Sequence, residues 1–138
     1  AQEEKVEETF LRAGYQKVPT RTIHTLSDAP GAGQFCRESL LGNRKADFVL
    51  GLFDRRVMAI ECKVSNSATN SVKRLNNDAA AKAEAWRRDF GNLQVVPAAV
   101  LGGVYKIHNL EDAQRRGLTL FWAHELEALI QWIESARE

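Results

Sequence analysis

Residues 46–53 and 56–63 form two nearly continuous apolar runs on either side of Asp54-Arg55. Runs of that length, rich in Phe, Val and Ile and bounded by polar residues, predict buried strands. A turn at Asp54 would fold them back on each other as a hairpin. Downstream, Val72, Leu75, Ala79, Ala83, Trp86 and Phe90 recur at three- and four-residue steps. That is the apolar stripe of a helix, with Gly91 placed to end it. Upstream, Val6, Phe10 and Ala13 predict a first helix that stops at Gly14. Residues 95–101 read as another buried strand. Pro97 argues that this strand starts near Ala98 or has an edge there, and Gly102-Gly103 ends it. A short helix over 110–116, a last strand over 118–122 and a closing helix over 125–135 complete the pattern. Between the first helix and the hairpin a strand is expected over 22–26. The rest of 17–45, with Pro19, Pro30, Gly31, Gly33 and Gly42, reads as loop. The order α-β-β-β-α-β-α-β-α predicts an α/β architecture, a central mixed β-sheet flanked by helices on both sides.

Three charges interrupt the hairpin pattern. Asp47 stands near the start of the first run, and Glu61 and Lys63 stand two residues apart near the end of the second. Side chains two apart in a strand share a face, and a turn near Asp54 brings Asp47 beside Glu61. Two carboxylates and an ammonium at one end of an apolar hairpin are suited to holding a divalent metal and a phosphate. Glu-x-Lys by itself says little, since Glu3-Glu4-Lys5 repeats it in a charged helical segment. Placement in a buried strand gives the second copy its weight, because unpaired charge there is costly. The plain alternative is a salt-bridged strand end emerging into solvent. Residues 64–71 are small and polar, a turn that caps the next helix. On that helix Lys73, Arg74, Lys82, Arg87 and Arg88 lie off the apolar stripe. Each alone reads as part of a solvated face; Lys73 and Arg74, nearest the hairpin, are the candidates for a phosphate contact.

Asp47, thirteen intervening residues and then Glu61-Cys62-Lys63 at the end of a second strand resemble the PD-(D/E)xK nuclease superfamily. Ala46 stands where the superfamily's name has proline, which leaves the carboxylate of Asp47 in place. The run from Ile60 to Ser67 and the run from Asn70 to Leu75 are similar to type II restriction endonucleases of the XamI kind, over roughly residues 33–104. The resemblance implies a restriction-endonuclease-like core and a Mg²⁺-dependent endonuclease acting on double-stranded DNA, with Mn²⁺ able to substitute. It implies Asp47, Glu61 and the backbone carbonyl of Cys62 as metal ligands, and Lys63 as the group that orients or activates water. It makes Ser65, Asn66, Lys73 and Arg74 candidate nucleic-acid contacts. The loop within 17–45 is, by its loop character, a candidate DNA-facing or lid segment. Such enzymes cut both strands, so a homodimer is expected. A further acid often comes from the first helix in this superfamily. Here Glu3 and Glu7 border its apolar face, whereas Glu4 and Glu8 point away.

Bulk properties narrow the setting. With 138 residues, the chain reads as a single nuclease domain over 1–138, and its start at Ala1 suggests excision from a longer chain. A formal net charge of +1 gives no compositional argument for nucleic acid binding. Cys36 and Cys62 lack metal-ligand spacing and fit a reducing, cytoplasmic setting. No apolar run reaches the roughly 18 residues of a membrane span. His24, His108 and His124 are scattered, and neither a P-loop nor a Gly-x-Ser-x-Gly is present. Two other readings stay open: a structure-selective nuclease such as a junction resolvase or repair enzyme, and a nuclease-fold module that binds DNA without cutting. The intact acid-acid-lysine set speaks against the second.

Overall fold

The computed structural model describes residues 1–137. In chain order the elements are α1 (Gln2–Arg12), β1 (Gln16–Lys17), a 3-10 turn (Leu26–Asp28), β2 (Gln34–Leu41), β3 (Arg44–Gly51) and β4 (Val57–Ser65). There follow α2 (Ala68–Ser71), a π-helical segment (Val72–Ala79), α3 (Ala80–Phe90), β5 (Val95–Gly103), α4 (Ile107–Arg115), β6 (Thr119–Trp122) and α5 (Leu126–Ser135). The six strands lie side by side in sequence order. β2, β3 and β4 are antiparallel neighbours, whereas β1–β2, β4–β5 and β5–β6 pair in parallel. The sheet is therefore mixed, as the element order implies.

Each face of the sheet carries its own apolar layer. On one, Val6 and Phe10 of α1 and Leu129 and Ile133 of α5 bury against Phe35, Phe48, Met58 and Ile60. Phe10 meets Phe48 edge to face, with ring centroids 5.4 Å apart. On the other face, Leu75, Ala79, Ala80 and Ala83 pack on Ala99 and Leu101, and Trp86 joins Val49, Ala59 and Val95. Burying each large side chain of this kind contributes about 1.5–3 kcal/mol. The small alanines let the helix approach the sheet closely, which brings its polar flank to the end of β4.

The hairpin forms as expected, with Phe48 opposite Ile60 and Gly51 opposite Val57. Its turn is closed by Leu52 N–H donating to the Arg56 carbonyl at 2.9 Å, and the Asp54 carboxylate accepts from the backbone and guanidinium of Arg56. The strand expected over 22–26 is not there. Only Ile23 makes a bridge, to Leu41, and residues 26–28 turn as a 3-10 helix. The strand of this region is instead β2, inside the stretch that reads as loop. Pro97 lies within β5, which starts at Val95, but β6 joins β5 only at Ala98. The missing proline N–H thus faces a stretch where β5 has no strand neighbour on that side.

Candidate active site

β4 sets the site by simple alternation. Glu61 and Lys63 project towards the helix spanning 68–90, while Cys62 packs among the apolar residues of the opposite face. The neighbouring strand supplies Asp47 through an unusual backbone. Arg37 pairs with Phe48 and Ser39 with Ala46, but Glu38, opposite Asp47, drops out of the ladder with φ of 50°. Released from β2, the Asp47 amide donates to Glu61 Oε2 at 3.1 Å. In return Asp47 Oδ2 accepts from the Cys62 amide at 2.7 Å. Each carboxylate is pinned by a backbone N–H of the facing strand, so both acids are held side by side before any ligand arrives.

The electrostatics show what this juxtaposition costs. Glu61 is buried, and burial pushes its carboxyl above the usual carboxylate range; the charge of Asp47 pushes the same way. Lys82 and Lys63 oppose both effects. Lys82 Nζ donates to Glu61 Oε1 at 2.7 Å, and Lys63 Nζ lies 3.8 Å from the same oxygen. The Lys63 ammonium instead pairs with Asp78 on the π-helical segment. Lys82 is also anchored by the carbonyl of Lys45 at 2.9 Å. Tyr105, whose phenol burial pushes up to about 12, donates its hydroxyl hydrogen to the Lys63 carbonyl at 3.1 Å and steadies the strand end.

The donor set suits a hard divalent cation. Asp47 keeps Oδ1 without a hydrogen bond among the described residues, and Glu61 Oε1 is already seeking positive charge. No group of three or more His, Cys, Asp or Glu side chains forms a metal cage among the described residues. Mg²⁺ does not need one, since it is typically held by one or two carboxylates with waters and substrate phosphate. The Cys62 thiol is no ligand candidate. Burial raises its pKa strongly, and the charges of Asp47 and Glu3 add to this.

The other candidates distribute unevenly. Asn66, Lys73 and Arg74 are exposed around the end of β4. Ser65 is buried and its hydroxyl donates to the Ser67 carbonyl at 2.7 Å. Arg74, Cys62, Val64, Gln2 and Glu3 line a cavity of about 220 Å³ beside the strand end. Glu3 and Glu7 are half-buried at the border of the apolar face, as their spacing suggests, and both are held by Arg37, at 3.1 and 3.2 Å. Glu4 and Glu8 are exposed, as are His24, His108 and His124. Asp78 is absent from the sequence expectations, and Lys82 stands there only as one of several bases on a solvated face. Four residues apart on a helix, they look like an ordinary intrahelical ion pair, and only the docking of that helix aims them at β4.

Comparison with known proteins places the chain in a family. Over 100 residues the chain is 56% identical to the type II restriction enzyme XamI of Xanthomonas campestris pv. amaranthicola, covering 72% of this chain and 36% of that enzyme. The chain thus spans about a third of the length of that curated relative. Among solved structures, protein VC1899 from Vibrio cholerae superposes with a TM-score of 0.60 over 98% of this chain and 34% of its own, at 20% identity, which establishes a shared fold. The family described as XamI restriction endonuclease matches residues 1–122, and the chain belongs to that family.

Proposed function

We propose that this protein is a Mg²⁺-dependent endonuclease that hydrolyses phosphodiester bonds of double-stranded DNA in the manner of a type II restriction enzyme, through a PD-(D/E)xK site. The observation that carries the reading is the reciprocal backbone clasp between Asp47 and Glu61, with Lys63 on the same face as Glu61. Asp47, Glu61 and the Cys62 carbonyl would hold the metal. Bound there, the ion would lower the pKa of a water and offset charge on the phosphate. Lys63, fixed by Asp78, orients the attacking water and adds a compact positive charge beside the phosphate. Asn66, Lys73 and Arg74, with Ser65 behind them, form the strand-end surface that would meet the DNA backbone. Residues 1–138 read as one nuclease domain, cytoplasmic, acting as a homodimer because cleavage of two strands calls for two sites. Mn²⁺ would substitute for Mg²⁺. No helix of the described residues is long and apolar enough to cross a membrane.

The test is incubation with supercoiled plasmid and Mg²⁺, with an EDTA control, followed by sequencing of the ends. Discrete ends at a recurring sequence are expected. Cleavage confined to branched junctions would replace the restriction reading with a resolvase, and binding without cleavage would leave a DNA-binding module.

A further inference from the structure

Both carboxylate oxygens of Glu61 are engaged in this structure. Its Oε2 takes the Asp47 amide, and its Oε1 takes the Lys82 ammonium at 2.7 Å. The second lysine, Lys63, stands further off at 3.8 Å and has a carboxylate of its own in Asp78. The two lysines therefore do different work. Lys63 keeps its partner whatever happens at Glu61, whereas Lys82 depends on Glu61 for its close anionic contact; Asp78 lies 3.9 Å away and is already engaged.

Coordination of a divalent cation by Glu61 Oε1 would compete with this bond, since both use the same oxygen and two cations repel at that range. The Lys82 side chain is only 20% exposed, and an ammonium that loses its carboxylate in such a place is costly unless another anion arrives. The Lys45 carbonyl continues to orient the ammonium but carries no charge. On a flexible four-carbon stem the group can shift to a new acceptor without moving the helix.

We propose that Lys82 is a phosphate-binding residue held in reserve. It neutralises Glu61 through the Oε1 contact, and when Glu61 takes a divalent cation it transfers to a non-bridging oxygen of the phosphodiester that enters the site. The inference rests on the nuclease reading of Asp47, Glu61 and Lys63. It satisfies Glu61 electrically through Lys82 and couples metal binding to phosphate binding through one side chain.

The experiment compares wild type with Lys82→Met, Lys82→Arg and, as a control for general charge, Arg88→Gln on the exposed flank of the same helix. Calorimetric titration with Mn²⁺ alone, without DNA, is paired with single-turnover cleavage of plasmid in Mg²⁺, and circular dichroism checks folding. Lys82→Met is expected to bind Mn²⁺ at least threefold more tightly, because the competing ammonium is gone, and to cleave at least tenfold more slowly. Lys82→Arg is expected to recover part of the cleavage, and Arg88→Gln to leave both readouts unchanged. A simple structural role would weaken both together, so parallel loss of Mn²⁺ affinity and cleavage overturns the proposal, as does unchanged cleavage in folded Lys82→Met. Wild type that neither binds Mn²⁺ nor cuts would overturn the nuclease reading itself, and the reserve role with it.

Discussion

Glu38 adopts a left-handed backbone, φ of 50°, in the middle of β2. An L-residue there costs about 1–2 kcal/mol, which glycine largely avoids. The distortion sits opposite Asp47 and coincides with the turning of its amide towards Glu61. Glu38→Gly should therefore raise stability by roughly 1 kcal/mol in urea unfolding without loss of activity; a clear loss of stability would show that the Glu38 side chain matters more than its backbone. The thiols carry a second expectation at this scale. Burial raises the pKa of both Cys36 and Cys62, with the acidic neighbours of Cys62 adding to it. Thiolate is the reactive form, and a raised pKa leaves less of it at any pH below that value. Native protein at pH 8 should react slowly with a thiol reagent and release two equivalents promptly once denatured; fast native labelling would place a thiol at the surface. Asp47, Glu61 and Lys63 were legible as residues because strand alternation fixes their faces from spacing alone. Lys82 and Asp78 were not, since their role depends on how a helix docks and not on any local pattern.

The hairpin of β3 and β4 was legible as a pair of elements because both runs are apolar on both faces, as central strands require. β2 was not, because Arg37, Glu38 and Ser39 break the run and mask Phe35, Cys36 and Leu41, all fully buried. Its polar middle has a reason in the fold, since Arg37 crosses to Glu3 and Glu7 of α1. The π-helical segment is equally invisible to a 3.6-residue period. There the Ala80 amide reaches back to the Leu75 carbonyl, and Asn76 is buried with its side-chain amide donating to the Asn109 carbonyl and to Asp112. The end of β5 is held by a close approach that also bounds the site. Gly103 has φ of 98°, and a Cβ there would lie 1.8 Å from the Ser65 carbonyl oxygen. That oxygen accepts from the Val104 amide at 2.9 Å. Gly103→Ala should cost about 3 kcal/mol or more in chemical denaturation and impair the site through β4. Wild-type stability for Gly103→Ala would mean that the strand ends separate easily.

For the molecule as a whole, α/β architecture and a mixed sheet follow from element order, whereas the strand neighbours outside the β3–β4 hairpin and the docking of the 68–90 helix emerge only from packing. The fold places its two acids and two lysines at one end of the central strand, and this arrangement predicts coupling between metal and stability. A ligand that binds only the folded state stabilises it by about 2.7 kcal/mol at 100 times its Kd. Mn²⁺ should therefore raise the melting temperature of wild type, EDTA should reverse the rise, and Asp47→Asn should abolish it; an equal rise in Asp47→Asn would put the metal elsewhere. The central claim is that Asp47, Glu61 and Lys63 form the hydrolytic site. Its most direct test is single-turnover plasmid cleavage in Mg²⁺ by wild type and by Lys63→Ala, with folding of both verified by circular dichroism. Loss of cleavage by at least a hundredfold in folded Lys63→Ala is the predicted result, and equal rates in the two proteins would contradict the account.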